Sequence, residues 1–184
     1  MASLRGIIFR MADSQLALLR GINVGGKNKL PMRDLANIFE DAGCENVRTF
    51  IQSGNVIFTA TSNVSKRLAG AVVSKIADRF GHKVPVILRT AQQLRDVVSN
   101  NPFPRAGDLH VMFLADRPIP VKIASLDADR SPPDVFLVRG QEIYLQLSNG
   151  AARTKLTNAW FDSKLGTVST ARNWRTVNKL LEMM

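Results

Sequence analysis

The sequence predicts an α+β protein built from tandem ferredoxin-like βαββαβ units followed by a C-terminal helix. Three observations carry that prediction. Over residues 15–89, short apolar runs and amphipathic stretches alternate as strand, helix, strand, strand, helix, strand. A less regular recurrence of that order follows over 90–184, and the chain ends on an apolar stripe of helical period.

Taken in order, Gln15–Arg20 reads as a strand, and Pro31 to about Ala42 as a helix with Leu35, Ile38, Phe39 and Ala42 on one face. Pro31 suits the first helical turn and Gly43 the stop. Val47–Gln52 and Asn55–Ala60 are strands joined by a tight turn at Ser53-Gly54. Ser65–Phe80 is a helix whose stripe is Leu68, Val72, Ile76 and Phe80, and Val84–Arg89 is the next strand.

In the second half, Thr90 caps a short helix that runs to Val98, and an Asn-Asn-Pro-Phe-Pro turn breaks it. Leu109–Ala115 is a strand, followed by a short helix around Ile123–Leu126. Val135–Arg139 and Glu142–Leu147 form a hairpin across Gly140-Gln141. A helix from Lys155 to Lys164, an edge strand over Val168–Ala171 and a terminal helix from Asn173 complete the series. The expected organisation is a loose leader or upstream start over 1–14, a first unit over 15–89, and a second over 90–184 packed on the first.

The chain has 184 residues, 45% hydrophobic and 22% charged, which is ordinary for a globular protein with a proper core. No apolar stretch approaches the roughly 20 residues that span a bilayer, so no membrane partner is expected. A single cysteine, Cys44, rules out an intramolecular disulfide and fits a reducing, cytoplasmic location. With one Cys and two isolated histidines, His82 and His110, transition-metal ligands are scarce, and neither a metal nor a cofactor is expected.

Net charge is +10, which favours an anionic partner, a small molecule or a nucleic acid. The excess is uneven: seven cations face two carboxylates over 61–100, and six face two over 151–184. The richest local chemistry is GINVGGKNK, residues 21–29. It falls one residue short of the phosphate-binding GxxxxGK[ST] loop. Asn28 replaces the hydroxyl that would hold magnesium, the helix starts near Pro31 and not at the lysine, and a hairpin follows where nucleotide hydrolases use parallel crossovers. Nucleotide hydrolysis is therefore not expected. A smaller expectation survives: Gly25 and Gly26 expose backbone amides, and Arg20, Lys27 and Lys29 add charge, as in an anion-binding nest.

LLRGINVGGKNKLPM, VRTFIQSGNVIF, KLTNAWFDSKLG and TARNWRTVNKLLEM, in that order, resemble the signature segments of the bacterial family catalogued as domain of unknown function 1697. The resemblance runs from about Leu16 to Leu181. It implies a two-unit α+β fold and leaves the activity open.

Those segments are rich in amides, hydroxyls and cations and poor in general bases, an inventory suited to recognising phosphate, carboxylate or a base edge. The candidate ligand-binding set is Arg20, Asn23, Gly25, Gly26, Lys27, Asn28, Lys29, Gln52, Ser53, Asn55, Lys155, Arg172 and Asn173. Asn173 is a good helix N-cap, which places Arg172 just outside a helix N-terminus where an anion is favoured. No residue is assigned a catalytic role. Phe50 and Phe58 are the strand aromatics that an RNA-binding sheet would need, although the RRM pattern is absent. The leading expectation is anionic-ligand binding through the Gly-Lys loop and a helix N-terminus. The alternatives are an enzyme on a phosphorylated or carboxylated metabolite, aided by Lys27 or Lys155, and a structural module whose motifs join its halves.

Overall fold

The computed structural model describes residues 13–104 and 107–184, so nearly all of the expected leader lies outside the described residues. The chain runs β1 (Gln15–Leu19), α1 (Met32–Asp41), β2 (Glu45–Phe50), β3 (Asn55–Thr59), α2 (Ser62–Phe80), β4 (Val86–Thr90) and α3 (Ala91–Ser99). It continues β5 (Leu109–Leu114), α4 (Pro120–Ala124), β6 (Val135–Arg139), β7 (Glu142–Gln146), α5 (Asn158–Leu165), β8 (Ser169–Asn173) and α6 (Trp174–Met183).

Two four-stranded antiparallel sheets result, ordered β2-β3-β1-β4 and β6-β7-β5-β8. Substituting 5, 6, 7, 8 for 1, 2, 3, 4 turns one order into the other, so both halves thread the βαββαβ plan identically. The tandem α+β architecture with a terminal helix is what the alternating pattern predicts.

Boundaries shift where a hydroxyl cap decides them. Helix α2 begins at Ser62, ahead of Ser65, because Thr61 Oγ1 accepts from the Val64 amide. Helix α5 begins only at Asn158, because Thr157 is its cap and Trp160 N donates to that hydroxyl at 3.2 Å. Helix α4 starts at Pro120 in the first-turn position. The β2–β3 connection takes four residues and not two: Phe50 pairs with Asn55, leaving Ile51–Gly54 as the turn, with Ile51 at φ +48° and Gly54 at φ +74°.

Strand alternation divides the core into three layers. On β1, Ala17 and Leu19 turn outward to α1 and α2, joining Leu35, Phe39, Leu68 and Val72. Leu16 and Leu18 turn the other way, and with Ile57 and Ile87 they meet Val111, Phe113 and Tyr144 of the second sheet. Helices α3 and α6 complete this middle layer with Leu94, Val97, Val177 and Leu180. The buried Tyr144 hydroxyl donates to Val97 O at 2.8 Å, so its burial leaves no unmade bond. A third layer, with Met112, Leu114, Phe161 and Leu165, lies on the far side of the second sheet.

Both faces of both sheets are therefore covered. Phe58 is fully buried in the first layer and offers no stacking surface for a nucleobase, and Phe50 is half-buried against the middle one. Trp160 and Phe161 pack edge-to-face, 4.6 Å between centroids, against the third layer.

Candidate functional site

The GINVGGKNK segment folds as a miniature hairpin. Asn23 N donates to Asn28 O at 3.2 Å and Lys27 N to Val24 O at 3.0 Å. Gly25 and Gly26 take φ +57° and +74°, the paired positive values of a two-residue hairpin turn, which glycine adopts without penalty. Asn23 and Asn28 are also left-handed, at φ +55° and +48°, a conformation asparagine tolerates. Asn28 Nδ2 holds Gly21 O at 3.0 Å. Asn23 clasps Leu30 through both its amide atoms at 2.8 Å, and its Nδ2 also reaches Gln52 O at 3.1 Å. These two side chains fix the loop and tie it to the β2–β3 turn.

Between that loop and the second unit lies a cleft of about 500 Å³. The base of the loop (Gly21, Ile22, Val24), Arg20, and the turn residues Ile51 and Ser53 form one wall. The opposite wall is His110 on β5, Asn158 at the start of α5, Thr170–Asn173 on β8, and Thr176 in the first turn of α6. A second cavity of about 600 Å³ shares Ile51, Asn173 and Thr176 with it and continues past Phe50 to Arg175, Asn178, Lys179 and Glu182.

Arg172 is 8% exposed. Its Nε donates to Asn55 Oδ1 at 2.6 Å, and one terminal nitrogen to Thr170 Oγ1 and Ala171 O, both at 2.8 Å. The other donates to Leu19 O at 2.8 Å, Ser53 O at 2.9 Å and Gly54 O at 3.3 Å. All of these acceptors are neutral. Burial pushes the guanidinium down to about 10, which still leaves it charged at neutral pH. Asn55, itself fully buried, is held by its Nδ2 on Phe50 O at 3.1 Å and Ser53 Oγ at 2.9 Å.

Arg20, the cleft's other arginine, pairs with Asp162, whose second oxygen accepts from Ser169 Oγ at 2.6 Å; Asn158 Nδ2 donates to the same hydroxyl at 2.8 Å. Among the described residues, Arg20 is therefore neutralised by a carboxylate, whereas Arg172 has no ion-pair partner and keeps its full charge. His110 pairs across the ladder with Asn173. Burial lowers its pKa, against the Asp108 carboxylate 3.2 Å from Nδ1, and that nitrogen has no hydrogen-bond partner.

Of the predicted residues, Arg20, Ser53, Arg172 and Asn173 line the cleft, and Asn173 Oδ1 caps α6 by accepting from Thr176 N at 2.8 Å. Asn23, Asn28, Gln52 and Asn55 build its walls from behind. Gly25, Gly26, Lys27 and Lys29 sit on the exposed loop and Lys155 on an exposed turn before α5, none of them among the lining residues. The lining residues outside the predicted set include Asn158, Thr170, Thr176, Ile51, which looked like part of a strand, and His110, which looked isolated. Only the strand pairing that sets His110 opposite Asn173 brings it in.

Burial pushes the Cys44 thiol up to about 11, far from a reactive thiolate. Among the described residues, no cluster of three or more His, Cys, Asp or Glu side chains is placed to hold a metal ion. No helix among them is long and apolar enough to cross a membrane.

The fold and cleft define a two-sheet α+β protein whose halves join through an apolar layer with a polar cleft beside it. Residues 12–144 match the family described as "Protein of unknown function (DUF1697)", and the chain belongs to that family. Among solved structures it is similar to that of the conserved bacterial protein SP0830 from Streptococcus pneumoniae. The two are 24% identical, with a TM-score of 0.71 over 93% of this chain and 98% of that one, a likeness of fold. Among curated proteins, none matches.

Proposed function

We propose that the protein binds a small oxyanion-bearing molecule, a phosphate or carboxylate compound, in the cleft between its two halves. The observation that carries this reading is Arg172: a buried guanidinium whose given hydrogen-bond partners are all neutral oxygens. A buried charge is costly until an opposite charge meets it, so the cleft favours a negative ligand. The first turn of α6 adds backbone amides and the positive end of a ten-residue helix, and Thr176 adds a hydroxyl. A cleft of about 500 Å³ takes a metabolite-sized ligand, and the covered sheet faces argue for that over a nucleic-acid strand.

One observation favours a second reading. The donors of Arg172 are all spent on protein oxygens, most of them in the first unit, as a purely structural staple would spend them. Thermal unfolding in phosphate, pyrophosphate or citrate, against chloride at matched ionic strength, separates the two, because a ligand that binds only the native state raises Tm. The expected result is a concentration-dependent rise in at least one oxyanion beyond chloride. Equal Tm in all four, with no retention on RNA or DNA columns, overturns the binding reading in favour of the staple. Salt-sensitive retention without any small-anion effect points to nucleic acid.

A further inference from the structure

Each half of the molecule carries the same arginine cradle. Arg89 stands opposite Leu16 across β4 and β1, and Arg172 stands opposite Val111 across β8 and β5. Leu19 and Leu114 follow three residues later on the respective central strands. Each of those leucines donates its amide at 2.8 Å to the last turn residue of its own hairpin, Gly54 or Gln141.

Four bonds around the two arginines correspond, and each arginine reaches into the other half. Arg172 bonds Leu19 O, Gly54 O, its own neighbour Ala171 O, and by Nε the first residue of β3, Asn55. Arg89 bonds Leu114 O at 2.7 Å, Gln141 O at 3.2 Å, its own neighbour Leu88 O at 2.9 Å, and by Nε the first residue of β7, Glu142, at 3.0 Å.

Arg172 has two further bonds, to Thr170 Oγ1 and Ser53 O, but among these partners the difference in charge lies in one functional group. Glu142 is a carboxylate and neutralises Arg89 on the spot. Asn55, in the same place, is a neutral amide and leaves the Arg172 charge standing. The space beside each arginine follows suit. The cavity next to Glu142 is about 200 Å³, and its lining includes two carboxylates, Asp96 and Glu142, with Arg117 and Gln93. The cleft beside Arg172 is about 500 Å³ and holds no carboxylate among its lining residues.

We infer that Asn55 is the specificity-determining residue that makes one of two equivalent cradles an oxyanion site, and that the ligand's negative charge does from the cleft what Glu142 does from within the other cradle. Asn55 itself occupies the Nε position, so the ligand does not replace it. The oxyanion sits further out, over the first-turn amides of α6, and is held by the field of Arg172. The ligand class is a compact phosphate or carboxylate compound, and the same charge rule excludes cations from this cleft.

This inference rests on the oxyanion reading proposed above, and the test keeps the two apart. Asn55→Asp is nearly isosteric and places a carboxylate against Arg172 Nε; Asn55→Ala loses the same amide without adding charge. Binding of inorganic phosphate, pyrophosphate and citrate is measured by calorimetry on the full chain, with Tm shifts in parallel and circular dichroism confirming that each variant is folded. Asn55→Asp is expected to bind about tenfold or more weakly than Asn55→Ala, the scale of one charge-assisted contact. Equal losses in both variants overturn the inference by making Asn55 a positioning residue alone. Unchanged binding in Asn55→Asp overturns it while sparing the oxyanion site. No binding in the unaltered protein overturns both. If neither variant folds, the Arg89 side decides through Glu142→Gln with Asp96→Asn: a second oxyanion equivalent supports the inference, and unchanged stoichiometry overturns it.

Discussion

The Arg20 guanidinium closes on the Asp162 carboxylate across 142 residues of chain, and Ser169 holds that carboxylate from its other oxygen at 2.6 Å. Both partners are half-buried, so the pair quenches a positive charge at the rim of the cleft. Asp162→Asn is expected to release that charge and tighten phosphate binding about threefold to tenfold, with a stability loss of about 1 kcal/mol. Calorimetric titration with phosphate checks the first figure and urea unfolding the second. Weaker binding in Asp162→Asn would place the oxyanion away from Arg20.

Gly54 stands at φ +74° where the β2–β3 turn meets β1, and a Cβ there would lie 2.6 Å from Leu19 Cβ and 3.0 Å from Ile22 Cδ1. Both contacts are buried, and Gly54 O is also an acceptor for Arg172. Gly54→Ala is expected to cost about 2–4 kcal/mol, combining overpacking with a disfavoured backbone. Gly25→Ala, at φ +57° with nothing within 4 Å of its added Cβ, should cost only about 1 kcal/mol. Urea midpoints of the two variants give the comparison, and equal losses would show that the Leu19 wall yields.

His110 sets a pH signature. Burial lowers its pKa below the ordinary 6.5, so as pH falls through 6.5 the unfolded chain takes up a proton that the folded chain refuses. Native stability is then lost from about pH 6.5 downward until the folded imidazole also protonates. His110→Gln, which copies Gln15 at the equivalent place on β1, should flatten the fall in Tm between pH 7.5 and 5.5. An identical fall in both proteins assigns it to other groups.

Lys27 and Lys29 sit on the exposed loop, outside the cleft lining. Replacing both by alanine should change phosphate affinity by no more than about twofold at physiological salt, because exposed charges outside the cleft lining are screened by salt. A tenfold loss, measured by calorimetry, would mean that the hairpin tip folds over the bound anion.

Periodicity exposed most of the fold. The stripe Leu68, Val72, Ile76 fixed α2, and Gly140-Gln141 between alternating runs fixed the β6–β7 hairpin. Local caps were harder, since Thr61 and Thr157 move helix ends by three residues through single hydroxyl bonds. The site was legible in its residue types and hidden in its grouping. Arg172 and Asn173 stood out as donors beside a helix start. Nothing local reveals that Arg172 spends its donors on Leu19, Ser53, Gly54 and Asn55, more than a hundred residues away. The glycine-lysine loop shows local structure that its spacing did not announce. Its two central glycines form a two-residue turn, and its asparagine side chains hold backbone groups.

The middle layer gives each sheet the covering that its own helices do not supply. Leu16, Leu18, Ile57 and Ile87 have no shelter except Val111, Phe113, Tyr144 and the helices α3 and α6. A first half cut free would expose that oily surface to water and would seek a copy of itself, because the threading of the two halves is interchangeable. In the intact chain the two like-threaded halves shelter one another's apolar faces, so the two lobes are expected to unfold as one.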